Sequence, residues 1–375
     1  MNILVLGGTL FLGRHIVDAA LSRGHMITIF NRGRTNPTVR HDVAVLRGDR
    51  DGDVAALRGR TFDLVIDTSA YHLRHVALVA SSLAKPEHYV LVSTASVYRS
   101  FPATERSPTH EPLWDEEAQL APATYGRLKR ACEETAVRVF GGRASIVRPG
   151  VLVGPHDPSN RFSYWVERAA AGGEILAPGH PDRPMQLLDA RDLAAWLLDN
   201  LQPGGMFNVA SPEGTPTIGD IVSSCIAGTR TDAWATWIAD AFLLDRDVMP
   251  WRDIPLWVPG DADAALQLDV ACATAAGLRC RPLAETIGDL LHPSSANELP
   301  LAGGMPKATP LSRARETELL AEWHAVLADE AWGLDAESGL GVDRLLATTT
   351  LPSWPVEHVL IFRRRFLLVI IRRLN

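Results

Sequence analysis

Met1-Asn2-Ile3-Leu4-Val5-Leu6-Gly7-Gly8-Thr9-Leu10-Phe11-Leu12-Gly13 opens the chain, and its reading decides the fold. The apolar run up to Leu6 does not alternate, which is the mark of a parallel strand covered on both faces. Gly7 to Gly13 makes a glycine turn, and Arg14 to Arg23 places Ile16, Ala19, Ala20 and Leu21 on one helical face. Strand, turn and helix in that order bring backbone N–H groups and a helix N-terminus to one point, where a pyrophosphate can sit. His25 to Phe30 reads as the next strand and closes a βαβ unit of about 30 residues.

Outward from this unit, strand-like runs recur at Val43–Leu46, Leu64–Asp67, Tyr89–Ser93 and Ala144–Arg148. Between them, His72–Ala84 reads as a helix with Val76, Val79, Ala80 and Leu83 inward. Strands alternating with helices predict an α/β fold, a Rossmann-type doubly wound parallel sheet. In such a sheet ligands bind beyond the carboxyl ends of the strands, where both the glycine turn and Ser93/Thr94 fall. From Val151 the pattern is irregular: a helix at Arg161–Ala171, a strand at Met185–Leu188, a helix at Asp192–Asn200 and a strand at Met206–Val209. No internal repeat is present. His292–Pro310 reads as a linker and Leu311–Asp329 as a helix. Val359–Leu374 mixes apolar residues with Arg363-Arg364-Arg365 and Arg372-Arg373, and reads as a loosely ordered appendage, with a membrane-surface or docking segment as the alternative.

With 375 residues, 46% of them hydrophobic, the chain can bury one large or two closely joined cores. Its net charge of −7 offers no basic field, so a nucleic-acid partner is not expected. Cys132, Cys225, Cys272 and Cys280 lack metal-ligand spacing, which predicts no metal and buried thiols in a reducing cytoplasm. No apolar stretch approaches the roughly 20 residues of a transmembrane helix. The opening strand begins so early that no signal peptide is expected before it.

The second informative stretch is Tyr125-Gly126-Arg127-Leu128-Lys129, in a chain whose lysines are Lys85, Lys129 and Lys307. On a helix this spacing sets phenol and ammonium on one face. A neighbouring cation favours phenolate and can bring a tyrosine towards the working range of a general acid/base. An ordinary exposed i,i+4 pair would share the spacing.

These residues resemble the short-chain dehydrogenase/reductase superfamily, in its extended and atypical branch of NAD-dependent epimerases and dehydratases. The similarity spans about residues 1–290, or to 330 with the later helix, and rests on four elements in order: the glycine turn, Asp49, Thr94 and Tyr125/Lys129. The resemblance implies about seven strands and a smaller inserted substrate subdomain. Residues 1–152 and 186–212 would form the dinucleotide-binding domain, 153–185 and 213–290 the substrate subdomain, and 291–375 a C-terminal extension. It implies catalysis by Tyr125, Lys129 and Thr94. It implies cofactor contacts from Gly7, Thr9, Leu10, Phe11, Leu12, Gly13, Asn31, Arg32, Arg34, Asp49 and Lys129, with Asp49 accepting from the adenine amino group.

Three departures from the family pattern shape the expectation. Leu10 stands where the middle glycine of the turn would be, as in atypical members. Asn31 stands where a carboxylate would hold the ribose 2′-hydroxyl of NAD, and Arg32 and Arg34 follow, which makes NADP the preferred cofactor over NAD. Ala95 and Ser96 replace the acidic pair of sugar dehydratases, which disfavours dehydration. The expected activity is NAD(P)-dependent reduction or epimerisation at a carbinol or ketone carbon of a nucleotide sugar or secondary metabolite. Lys129 is expected to lower the Tyr125 pKa. His156, Asp157, Arg161 and Tyr164 are expected to contact the small-molecule substrate, and a homodimer stays open. The rivals are a non-catalytic cofactor- or RNA-binding relative and a non-redox isomerase on the same fold. Trp234, Trp237, Trp251 and Trp257 are read as core, with a pocket for a bulky substrate as the alternative.

Overall fold

The computed structural model describes residues 1–34, 42–260, 266–291 and 308–338, with side chains to 328. The linker and the arginine-rich terminal segment anticipated above lie wholly or largely outside the described residues. The chain divides into two units, Met1–Glu316 and Thr317–Asn375. A helix at Arg313–Ser338, longer than the sequence pattern suggested, begins in the first unit and forms the described part of the second.

Eleven strands are described in the first unit: β1 (Asn2–Leu6), β2 (Met26–Asn31), β3 (Ala44–Arg47), β4 (Leu64–Asp67), β5 (His88–Val92), β6 (Ala144–Pro149), β7 (Val151–Val153), β8 (Glu174–Pro178), β9 (Leu187–Asp189), β10 (Met206–Val209) and β11 (Trp234–Ile238). Helices α1 (Phe11–Ser22), α2 (Leu73–Ser82), α3 (Pro122–Phe140), α4 (Ser163–Ala170), α5 (Ala190–Asp199) and α6 (Ile218–Thr229) lie between them. The seven-stranded sheet has the order β10-β6-β5-β4-β1-β2-β3, and every pairing in it is parallel. The expected doubly wound fold is present.

The non-alternating apolar strands acquire their meaning here. Ile3 and Val5 enter one core with Val90, Val92 and Val147, against Ile16 of α1 and Leu193 and Trp196 of α5. Leu4 and Leu6 enter the other with Val65, Leu91 and Ile146, against Val76 of α2 and Cys132 and Phe140 of α3. Successive side chains of one strand serve opposite layers, so both must be apolar.

Strand order reverses between β1 and β4, which are neighbours although β2 and β3 intervene in sequence. The crevice therefore opens beyond the carboxyl ends of these two strands. Of the strands expected at Met185–Leu188 and Met206–Val209, only the second, β10, joins the main sheet; β9 pairs with β7 in a separate two-stranded sheet. The pair β8–β11 and helix α6 were not anticipated. Cys132 and Cys225 are buried, but Cys272 and Cys280 are exposed, against the expectation of four buried thiols. Cys272 lies on a helix of only five residues, Ala271–Ala275, and Cys280 in the loop that follows it, where little structure covers a side chain.

Candidate active site

A cavity of about 970 Å3 lies at the reversal of strand order. Its wall includes all residues from Gly7 to Gly13, together with Asn31, Arg32, Arg34, Asp49, Thr94, Tyr125 and Lys129. Asp157 and Arg161 also line it. His156 and Tyr164 do not face it, contrary to expectation. His156 takes a left-handed backbone (φ 67°), and its ring lies 5.8 Å from that of His15. Tyr164 is buried on α4, edge-on to Trp165 at 5.1 Å, because the helix turns this face to the core.

The glycine turn shapes one end. Gly7 and Gly8 take φ of +111° and +84°, which side chains disfavour. A Cβ on Gly13 would stand 2.7 Å from the Gly8 nitrogen, so only glycine lets α1 start this close to the turn. Leu10 takes the N-cap position without a side-chain hydrogen bond, and no acidic residue stands in the first turn. The leading N–H groups of α1 thus have no side-chain acceptor, and the helix dipole adds positive potential there.

At the end of β2, Asn31 Oδ1 accepts from Gly33 N at 2.8 Å and from the Arg47 guanidinium. Its Nδ2 is buried and has no partner. The amide is therefore oriented with its acceptor engaged and its donor available, the reverse of a carboxylate at this place. Asp49 Oδ1 accepts from Asp51 N at 3.1 Å. Asp51 receives His75 Nε2 at 3.0 Å and Arg74 NH2 at 2.7 Å, which hold its carboxyl down at about 2. Burial brings His75 down to about 4.

Tyr125 and Lys129 share a face of α3, which begins with proline after an extended residue. A Cβ on Gly126 would stand 2.0 Å from the Ser96 carbonyl oxygen, so glycine lets α3 rest directly on the turn after β5. That contact sets Tyr125 beside Thr94, close enough for the threonine to act on its phenol. Thr94 Oγ1 also accepts from Ser96 N at 3.1 Å. The signal for Gly126 was visible within the Tyr-Gly-x-x-Lys stretch, but its need appears only across space.

Lys129 corrects one expectation. Its buried ammonium donates to the Ala70 carbonyl at 2.7 Å and the Val92 carbonyl at 2.8 Å, and lies 5.6 Å from the centre of the Tyr71 ring. Two of its three donors thus clamp the loop after β4 to the end of β5. Burial pushes the Tyr125 phenol up; the neighbouring Thr94 side chain and the Arg161 charge oppose this, and Lys129 is not among the causes. Low dielectric outweighs a cation whose field is engaged by carbonyl dipoles. Tyr71, which the sequence reading passed over, lines the cavity with its ring 6.5 Å from that of Tyr125.

Beneath these groups, Arg50 pairs with buried Asp67 at 2.5 Å, and Tyr89 donates to Asp67 at 2.6 Å. Among the described residues, six side chains have a buried polar atom without a hydrogen-bond partner: Asn31, Arg50, His72, Ser93, Thr135 and Arg161. All but Thr135 line the cavity. Buried polar groups are ordinarily satisfied, so their concentration on one wall marks a binding surface. The open helix N-terminus, the glycine cradle and these donors fit a dinucleotide's pyrophosphate and ribose. No group of three or more His, Cys, Asp and Glu residues suited to a metal occurs among the described residues, and no helix there is long and apolar enough to cross a membrane.

Comparison with known proteins follows the same line. Residues 70–210 match the NAD dependent epimerase/dehydratase family, in agreement with the resemblance drawn from the motifs. A chloroplast stem-loop binding protein of 41 kDa from Arabidopsis thaliana is 26% identical over 218 residues, 53% of this chain and 55% of its own length. The chain thus spans about half the length of that curated relative. Among solved structures, UDP-glucuronic acid 4-epimerase from Bacillus cereus, in complex with NAD, aligns with TM-score 0.56 and 14% identity over 77% of this chain and 96% of its own. UDP-N-acetylglucosamine 4-epimerase from Methanobrevibacter ruminantium aligns with TM-score 0.57 and 14% identity over 78% and 97%. At such identities the likeness is one of fold.

Proposed function

We propose that this chain, with its match to the NAD dependent epimerase/dehydratase family, is an NAD(P)-dependent oxidoreductase or epimerase acting at a carbinol or ketone carbon. The observation that carries the reading is the convergence of the glycine turn, Thr94, Tyr125 and Lys129 on one cavity at the reversal of strand order. When bound, the nicotinamide cofactor supplies the hydride donor or acceptor. Gly7 to Gly13 and the N-terminus of α1 would hold its pyrophosphate, Asp49 the adenine amino group, and Lys129 the nicotinamide ribose through its remaining donor.

Tyr125 moves the proton of the substrate hydroxyl, and Thr94 hydrogen-bonds the same oxygen. The raised phenol favours the protonated form at rest, suited to giving a proton to a developing alkoxide. Lys129 acts through position: its two carbonyl contacts fix the segments bearing Tyr71 and Thr94. Asp157 and Arg161 contribute to the substrate half. Net reduction and epimerisation demand the same groups from the protein, so both belong to this reading. Residues 1–152 and 186–212, which hold all seven strands of the main sheet, serve the dinucleotide, while 153–185 and 213–290 serve the substrate.

NADP is the preferred cofactor. The Asn31 amide presents a donor, and Arg32 and Arg34 stand on the same wall, a set that suits a 2′-phosphate better than a ribose hydroxyl. Titration with NADPH and NADH by fluorescence should show tighter binding of NADPH. Tyr125→Phe should lower turnover by about 10²- to 10⁴-fold with cofactor affinity preserved. Unchanged turnover, or no pyridine-nucleotide binding, refutes the reading.

A second reading, RNA binding on the same fold, is favoured by the name of the plant relative alone. The net charge of −7 opposes it, since phosphate contacts dominate nucleic-acid affinity. Retardation of stem-loop RNA at moderate salt would support it.

A further inference from the structure

The substrate half of the cavity contains a guanidinium that no carboxylate contacts directly among the described residues, with Asp157 as a nearby negative charge. Arg161 lines the wall, its Nε is buried without a partner, and no ion pair joins it to a carboxylate among the described residues. Asp157 shares the wall and favours the Arg161 charge from a distance, while its oxygens accept from Ser159 N at 2.9 Å and Ser159 Oγ at 2.7 Å and not from the guanidinium. Trp251 supplies the other side of the subsite. The Arg161 guanidinium carbon lies 5.3 Å from the centre of its ring, and Trp251 also lines the cavity. Trp251 takes a left-handed backbone, φ 64°, unusual for so bulky a residue, and its N–H is held by the Ile254 carbonyl at 3.1 Å. The backbone that carries the ring is thus held at the wall, with the guanidinium over the ring. Tyr125 stands on the same wall, near enough for the Arg161 charge to act on its phenol.

A partly buried guanidinium whose Nε has no acceptor is costly, and a planar fork set over an aromatic ring suits a planar or tetrahedral oxyanion. We propose that Arg161, backed by Trp251, is an oxyanion subsite, so that the substrate carries a carboxylate or phosphate close to the carbon served by Tyr125. The inference rests on the hydride-transfer reading and narrows its substrates to acids. It makes Arg161 a specificity-determining residue. Neutral polycyclic ketones would be excluded.

The test is calorimetric titration of the full chain saturated with NADP, using UDP-glucuronic acid, UDP-glucose and inorganic phosphate as probes. A sugar carboxylate at Arg161 predicts that the acid binds at least about tenfold tighter than the neutral sugar, with the difference lost in Arg161→Gln. A phosphate at Arg161 predicts that both nucleotides bind alike and that both weaken by roughly 10- to 100-fold in the variant. Arg161→Lys, which keeps the charge without the fork, should fall between, and guards against a folding defect in the glutamine variant. Unchanged affinity for all probes in Arg161→Gln overturns the proposal, as does failure of all probes to bind the wild type. So does weaker NADP binding in the variant, which would assign Arg161 to the cofactor. Absence of NADP binding to the wild type instead defeats the hydride-transfer reading, so the two failures are distinct.

Discussion

The two halves of the cavity are built by different means. The half proposed to hold the cofactor comes from backbone: thirteen consecutive residues supply a strand, a turn and a helix N-terminus, and glycines at 7, 8 and 13 hold them together. The half proposed to hold the substrate comes from side chains on loops far apart in sequence, with Arg161 and Trp251 meeting only in the folded unit. A backbone-built site recognises what every dinucleotide shares. A side-chain site recognises what one substrate has. The junction between them is the contact of α3 with the turn after β5, where Gly126 permits Tyr125 to reach Thr94.

That junction offers the sharpest way to break the comparison. In Gly126→Ala the added methyl meets the Ser96 carbonyl, so α3 must shift away. Turnover should fall by about 10²-fold, since displacement near 1 Å costs that much, and stability by about 1–3 kcal/mol from overpacking. Steady-state kinetics beside thermal melts would check both. NADPH affinity should change little, and a large loss would mean that the halves are not separable.

A smaller effect is expected at Asn31. Asn31→Asp replaces a donor by a carboxylate, which repels a 2′-phosphate and accepts from a ribose hydroxyl. The preference for NADPH over NADH should drop by about tenfold or more, read as the ratio of dissociation constants. Catalysis with saturating cofactor should persist. An unaltered ratio would remove Asn31 from cofactor selection.

The smallest effect concerns acid. Burial brings His75, on the cofactor half, and His88, at the far end of β5 from Thr94, down to about 4. Each histidine binds its proton more weakly folded than unfolded, so stability is fully present above about pH 6.5 and declines as pH falls towards 4. Asp51, at about 2, extends the loss below the usual carboxylate range because its deprotonated form is the one stabilised. Each histidine should contribute on the order of 1–3 kcal/mol across its window. Melting temperature against pH, with His88→Asn flattening the slope, checks the sign; a protein that gains stability on acidification from pH 6.5 to 4 would contradict it.

Much of the fold was legible because strand and helix periodicities are local. Leu64–Asp67 and Met206–Val209 coincide with β4 and β10, and other predicted elements of the sheet lie within a few residues of those observed. The sequence also determined the glycine turn, the Tyr125/Lys129 face and the place of Thr94, since each depends on neighbours along the chain. Only tertiary structure decided what Lys129 touches, that His156 and Tyr164 turn from the cavity, and that Tyr71 and Trp251 line it. The physical reason is distance along the chain. Backbone geometry and hydrophobic period are fixed within one or two turns, whereas burial, and with it the balance of desolvation against charge at Tyr125, is set by segments that meet only once the sheet is wound.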